Sequence, residues 1–392
     1  MDMSKKGMLT KCVRGGLKSN DVYKSLKTPI YMNASYELPT DGSLVDMVNE
    51  NTNFYSRHGN PNQVQLQEKI ALLEEAEETV VFATGVAAIS AVFTTFLDKG
   101  DHVLFSEVCY AATTILLKDL LSSKGIEADY VDTTDLEAVK NALKPNTKLI
   151  HLETPGNPTT GISDIEEITK IAHDKNILVS VDSTFASPYL QKPLKHGADF
   201  SIHSMTKYIS GHGDCLGGCV SGEHELIARL KKEAMINFGG AISPFNAWLI
   251  DRGLTTLPLR MRQHCDAAMV IALFLEAYPS VKFVHYPGLK SHPQYELASK
   301  YLEGGYSGIV SFDIDGDEET KLKFLSSLEM IIHAVSFGDN ETMIVHNAKG
   351  NPKLDYYPEI FRNGFFRLST GLEDTIDIIA DIKQALEKVK LL

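Results

Sequence analysis

Nowhere in its 392 residues does the sequence carry the roughly 20 consecutive apolar residues that span a bilayer, so no membrane partner is expected. Cysteine is scarce. The five present, Cys12, Cys109, Cys215, Cys219 and Cys265, are an odd number in a long chain. Met1 to Thr10 is polar and lysine-rich, with no apolar run after it, unlike a secretory signal. Together these point to a reducing cytoplasm. Cys215 and Cys219 have no Cys or His pair at zinc spacing, so no metal site is expected. Positive charge is in deficit, 38 Lys and Arg against 51 Asp and Glu, for a net charge of −13. That disfavours nucleic acid or an anionic membrane as partner, since both need a basic face. There is no internal repeat and no low-complexity linker. No Gly-x-Gly-x-x-Gly turn follows an early strand, which removes the signature of a dinucleotide-binding dehydrogenase.

What is present divides the chain into three zones. Residues 1–60 are rich in Asn, Ser, Tyr, Thr and Gly without sustained periodicity, which predicts an extended arm that packs on something else. Residues 61–253 alternate short β-branched runs with helical stretches. Strands are expected at Thr79–Phe82, His102–Phe105, Lys148–Leu152, Ile177–Val181, Phe200–His203 and Cys219–Ser221. Helices are expected near Val64–Glu78, Val86–Leu97 and Asp164–Lys175. Such alternation implies an α/β fold with a mostly parallel sheet covered on both faces. Residues 254–392 read as a smaller α+β domain. It has helices near Leu257–Tyr278, Glu318–Leu328 and Thr375–Val389, and strands at Ile309–Ile314 and Phe365–Leu368.

In an open parallel sheet, ligands bind beyond the carboxyl ends of the strands. The residues leaving those ends are Ala83-Thr84-Gly85-Val86, Glu153-Thr154-Pro155-Gly156-Asn157-Pro158, Asp182, and Ser204-Met205-Thr206-Lys207. One rim thus gathers backbone amides, an Asn, an Asp, two hydroxyls and a Lys. This is the donor set that pyridoxal 5'-phosphate needs: an amine for a Schiff base, an acid beside the pyridine nitrogen, and an anion site. Lys207 is the candidate amine and Asp182 the candidate acid. The amides of Gly85 and Val86, opening a helix, suit the phosphate, with Ser204 and Thr206 as further donors. Taken singly, a strand-end Asp is more often a turn residue, and a lone Lys is usually solvated. The convergence of all of them carries the reading.

With these residues assembled, the chain resembles the transsulfuration family of fold-type I pyridoxal-phosphate enzymes. Those are cystathionine γ-synthase, the cystathionine lyases, O-acylhomoserine sulfhydrylase and methionine γ-lyase. The likeness runs through Tyr55-Ser56-Arg57 with Asn60-Pro61, Thr84-Gly85-Val86-Ala87-Ala88, the Glu153 to Pro158 run, Val181-Asp182-Ser183-Thr184 and the Lys207 segment. It continues through His285-Tyr286-Pro287-Gly288-Leu289, Ser336-Phe337-Gly338-Asp339 and Arg367-Leu368-Ser369. The resemblance implies that Tyr110 stacks on the pyridine ring and exchanges protons, and that Asn157 bonds the ring oxygen. It implies that Tyr55 and Arg57 reach the phosphate of a neighbouring subunit. It gives Arg367, helped by Ser336 and Asn157, the substrate carboxylate. It also implies a homotetramer built from dimers that share active sites.

The family's reactions differ in the leaving group and in whether a nucleophile then adds. Charged residues that the resemblance leads one to expect around a cystathionine tail are replaced here by Phe54, Ile115 and Val335. An apolar pocket strands a zwitterionic tail without partners and suits an uncharged thioether or thiol. Phe54 and Val335 resemble methionine γ-lyase. Ala112, where that enzyme has Cys, and Met235 with Ile236, where it has a Lys-Asp pair, do not. The reading is γ-elimination from methionine or homocysteine, giving 2-oxobutanoate, ammonia and a thiol or sulfide. Cystathionine γ-lyase, cystathionine γ-synthase and O-acetylhomoserine sulfhydrylase are the alternatives. Apolar side chains at such positions also commonly serve packing alone.

Overall fold

The computed structural model of the protein describes residues 2–16, 22–41 and 54–390. A seven-stranded sheet forms its centre. Its strands are β1 (Glu78–Phe82), β2 (His102–Ser106), β3 (Glu127–Val131), β4 (Thr147–Glu153), β5 (Leu178–Asp182), β6 (Phe200–Ser204) and β7 (Gly218–Gly222). They run in the order β1-β7-β6-β5-β4-β2-β3. Every pairing between β3 and β6 is parallel, whereas β7 is antiparallel to both of its neighbours.

The period of two along each strand builds a separate core on each face. Val81, Leu104, Ile150, Leu152 and Val181 point to a core shared with the helices Pro61–Glu74 and Ile165–His173. Val80, Phe82, Val103, Phe105 and Leu149 point to one shared with the helix Gly85–Phe96. The six expected strands are present, each within a residue or so of its expected ends. β3 lies outside the expected set. It is an edge strand in which Glu127 and Asp129 interrupt the apolar run, and an edge needs only one partner and one covered face.

The first expected helix, Val64–Glu78, is displaced in the structure to Pro61–Glu74. Asn60 caps it through its side chain on the Asn62 N–H, and Pro61 takes the first helical position, where a missing N–H has no cost. Glu75, at φ 58°, ends it in the left-handed conformation, and the chain enters β1 at Glu78.

The second sheet comprises β8 (Val281–His285), β9 (Ile309–Ile314), β10 (Ile332–His333), β11 (Met343–Asn347) and β12 (Phe365–Ser369), ordered β10-β11-β12-β9-β8. The helices Leu257–Glu276, Glu318–Ser327 and Thr375–Lys390 accompany it. Phe312, Phe324, Phe366 and Leu386 lie in its core.

Of the first 60 residues, 1, 17–21 and 42–53 lie outside the described residues. The expectation of an extended arm fails for Met8–Arg14, which is helical and packs on its own chain. Cys12 is fully buried in the same core as Leu66, Ile70 and Leu73, and Lys11 lies 3.7 Å from Glu75. Residues 22–41 carry no helix and leave Val22, Tyr23, Leu26 and Met32 exposed.

Candidate active site

Three strand ends meet at one cavity of about 420 Å³. β4 ends in Glu153 and β5 in Asp182, in register with one another, and β6 leads through Ser204 to Lys207. The cavity is lined by Gly85, Val86, Tyr110, Asn157, Asp182, Ser204, Thr206, Lys207, Val335, Ser336 and Arg367. These are eleven of the fifteen residues singled out from sequence. The other four, Phe54, Tyr55, Arg57 and Ile115, do not line it. Arg57 stacks over the Tyr55 ring at 5.1 Å, both side chains being exposed, and the Phe54 ring sits 4.6 Å from that of His58. Ile115 is half exposed on its helix.

Lys207 Nζ donates to Ser336 Oγ at 2.7 Å and lies 4.9 Å from the centre of the Phe337 ring. Burial, seconded by the positive charge of Arg367, brings its pKa down to about 8 against the pull of Asp182 and Asp339. Asp182 is buried. Burial raises its pKa, opposed by the Thr184 hydroxyl and amide, which donate to Oδ1 at 2.5 and 3.0 Å, and by positive charge on His203 and Lys207. Thr184 Oγ1 in turn accepts the Ser204 N–H at 2.9 Å, tying the end of β5 to that of β6.

Gly85 forms one side of the cavity. Thr84 caps the helix Gly85–Phe96 by accepting the Ala87 N–H at 3.0 Å. The first-turn amides of Gly85 and Val86 have no intrahelical acceptors. A Cβ on Gly85 would stand 2.7 Å from Ser204 Cβ, so only glycine lets helix and strand end come this close. Thr206 shares its hydroxyl with the backbone of Gly217. At the opposite side Arg367 gives Nη1 to Asn157 Oδ1 at 3.0 Å and Nη2 to the Ser336 carbonyl at 2.5 Å. Its Nε is buried without a partner among the described residues. Ser336 is held at φ 91°, a conformation costly for a non-glycine residue. A phosphate, a carbonyl-bearing ring and an amino-acid carboxylate each have a matching donor set here, so the residues fit pyridoxal phosphate with its substrate.

Sequence reasoning gives no role to Glu153, Thr184, Phe337, Asn347 or Asn351, all of which reach the cavity. Glu153 and Thr184 stand inside runs already singled out. Asn347 and Asn351 lie in no such run. Asn347 sits at the end of β11, beside the strand that carries Arg367, and its Nδ2 is buried without a partner among the described residues. Among the described residues no group of three His, Cys, Asp or Glu could hold a metal, and no helix is long and apolar enough to cross a membrane.

The family model described as Cys/Met metabolism PLP-dependent enzyme matches residues 9–387. Canavanine gamma-lyase of Pseudomonas canavaninivorans is 45% identical, over 99% of this chain and 98% of that protein. L-methionine gamma-lyase of Fusobacterium nucleatum subsp. nucleatum is 41% identical, over 99% and 100%. The crystal structure of metB from Corynebacterium glutamicum superposes with a TM-score of 0.92 at 38% identity, covering 99% of this chain and 100% of that one.

Proposed function

The chain belongs to the Cys/Met metabolism family of PLP-dependent enzymes, and from that premise we propose that it eliminates the γ-substituent of an amino acid, yielding 2-oxobutanoate and ammonia. The observation that carries the reading is the convergence of Lys207, Asp182, Tyr110 and Arg367 on one cavity. Bound there, pyridoxal phosphate supplies the electron sink for the pair left behind when a proton leaves the substrate. Lys207 would hold it through Nζ and would carry protons at that atom. An amine with a pKa of about 8 can both accept and return a proton near neutral pH. Asp182 keeps the pyridine nitrogen protonated. Gly85, Val86, Ser204 and Thr206 hold the phosphate. Tyr110 would stack on the ring, Asn157 would bond its oxygen, and Arg367 with Ser336 would fix the substrate carboxylate.

For the γ-substituent the first reading is an uncharged sulfur group, as in methionine or homocysteine. Val335 lines the cavity and presents no charge to a distal ammonium or carboxylate. Phe54 and Ile115 would complete the distal pocket with it, within a homotetramer built as a dimer of dimers in the cytoplasm.

A second reading, canavanine, is favoured by Asn347. Its amide lines the cavity and can serve an oxyguanidino group, whose several polar hydrogens an aliphatic pocket would leave unpaired. The relatives named for canavanine also stand at 45% and 47% identity, against 41% for a methionine enzyme.

Purified protein incubated with methionine, homocysteine, canavanine, cystathionine and O-acetylhomoserine decides between them, with 2-oxo acid, ammonia and the released γ-group measured for each. The sulfur reading expects kcat/KM highest on methionine or homocysteine. Canavanine in first place selects the second reading. Cystathionine in first place, or turnover of O-acetylhomoserine only when sulfide is added, overturns both.

A further inference from the structure

Glu153 closes β4 and takes none of the roles above. Its side chain is 7% exposed and uses both oxygens. Oε2 accepts the backbone N–H of Tyr110 at 2.7 Å, and Oε1 accepts that of Asn157 at 2.9 Å. Its own N–H donates to Ser106 Oγ at 3.2 Å, which binds the ends of β4 and β2 together. The two amides it receives belong to different loops, one leaving β2 and the other leaving β4 itself. The Tyr110 amide opens the helix Ala111–Ile115, and Asn157 passes the contact on, through Oδ1, to Arg367. One carboxylate therefore fixes the starting points of two loops that meet across the cavity.

We infer that Glu153 is a positioning residue whose two carboxylate oxygens together set Tyr110 and Asn157 relative to one another. The inference rests on reading those two residues as cofactor contacts. Both bonds exist only while both oxygens are acceptors. Protonation leaves one of the two oxygens a weaker acceptor, and an amide in its place turns an NH2 toward one of the two N–H groups and releases it. Three charged or titratable groups face Glu153: Asp182 from β5, Arg367 from β12, and Tyr357 from the segment between β11 and β12. Burial first, and the charge of Asp182 second, hold its pKa well above the ordinary carboxylate range, against the two amides and Arg367. The ionised form is the one that positions the loops. The arrangement is therefore lost as pH falls through that raised pKa, at a higher pH than an ordinary carboxylate would require.

The test uses holoenzyme and needs no substrate: the visible circular dichroism of the bound cofactor, titrated with acid, in wild type, Glu153→Gln and Glu153→Asp. Wild type should show an acid-side transition in the dichroic band. Glu153→Gln should show altered dichroism at neutral pH and no such transition. Glu153→Asp, one methylene too short to reach both amides, should show altered dichroism with a transition retained. With a substrate that turns over, Glu153→Gln should lower kcat by about 10-fold or more, the scale of one lost hydrogen bond to a charged group, and move KM less. Wild-type dichroism and an unmoved acid transition in Glu153→Gln overturn the inference. If that variant does not fold, unaltered dichroism in Glu153→Asp does so. Because the spectra are recorded without substrate, the γ-elimination reading can fail while this one stands.

Discussion

In the proposed role, Lys207 would be a nucleophile by its surroundings more than by its type. Burial and Arg367 depress its pKa to about 8, so near neutral pH a useful fraction is neutral, and the fraction grows as pH rises through that value. Capture of pyridoxal phosphate by cofactor-free protein should accelerate through the same range, and a rate flat from about pH 6.5 to 9.5 would contradict it. Lys207→Ala should abolish the protein–cofactor adduct that borohydride traps, and mass spectrometry finding the reduced cofactor on another lysine would remove Lys207 from the role. Asp182 is held in place by Thr184, which also grips β6. If Asp182 has the proposed role, Asp182→Asn keeps that shape but could not hold the pyridinium proton. Turnover should fall by about 100-fold or more, the scale of removing an electrostatic partner from a reacting centre. The thermal midpoint should move little by comparison.

At the scale of elements, the helix that begins at Gly85 and the turn after β6 approach too closely for any side chain. Gly85→Ala would press a methyl to within 2.7 Å of Ser204. Overpacking of that kind costs about 1–3 kcal/mol, which corresponds to roughly 5- to 150-fold in cofactor affinity if the shift falls on the phosphate site. Equilibrium dialysis of the cofactor checks it, and an unchanged dissociation constant would show that the helix yields without cost. The strand ends are legible in the sequence because buried parallel strands are short β-branched runs, and the residues leaving each run are forced to the rim. β3 is not, because Glu127 and Asp129 break its run where the sheet meets solvent. The helix Pro61–Glu74 starts at the Asn60 cap and ends at a left-handed Glu75, and neither leaves a mark in apolar periodicity. Glu153 is hidden for a different reason. A carboxylate whose partners are two backbone amides from different loops has no signature in spacing. Asn347 reaches the cavity only through the register of β11 on β12.

At the scale of the whole molecule, Tyr55 and Arg57 lie exposed and apart from the cavity of their own chain. A role at the phosphate then requires a second copy, and a two-fold assembly would give each site residues from both chains. Equal mixing of inactive Arg57→Ala and Lys207→Ala subunits should restore about a quarter of wild-type activity, since half of the dimers are mixed and one of their two sites is intact. No recovery in proven mixed dimers would return Arg57 to its own chain's surface. The place of β7 in the large sheet has a consequence for biosynthesis. Among the described residues β1 pairs in the sheet only with β7, apart from a single bridge between Phe82 and Ala241, yet it leaves the ribosome about 140 residues earlier, a wait of roughly 7 to 28 s at about 5–20 residues per second. Through that interval Thr79, Val80, Val81 and Phe82 form an unpaired apolar edge, the kind of surface that chaperones hold and that aggregates when they do not. Nascent chains arrested before Gly218 should stay protease-sensitive across β1 and bind chaperones that hold unfolded chain, whereas chains arrested after Gly222 has cleared the tunnel should gain protection there. Ribosomes on the stretch of message between those two points would therefore each carry an exposed, sticky β1, and the yield of active protein should depend more on translation speed between Phe82 and Gly218 than on speed anywhere after it.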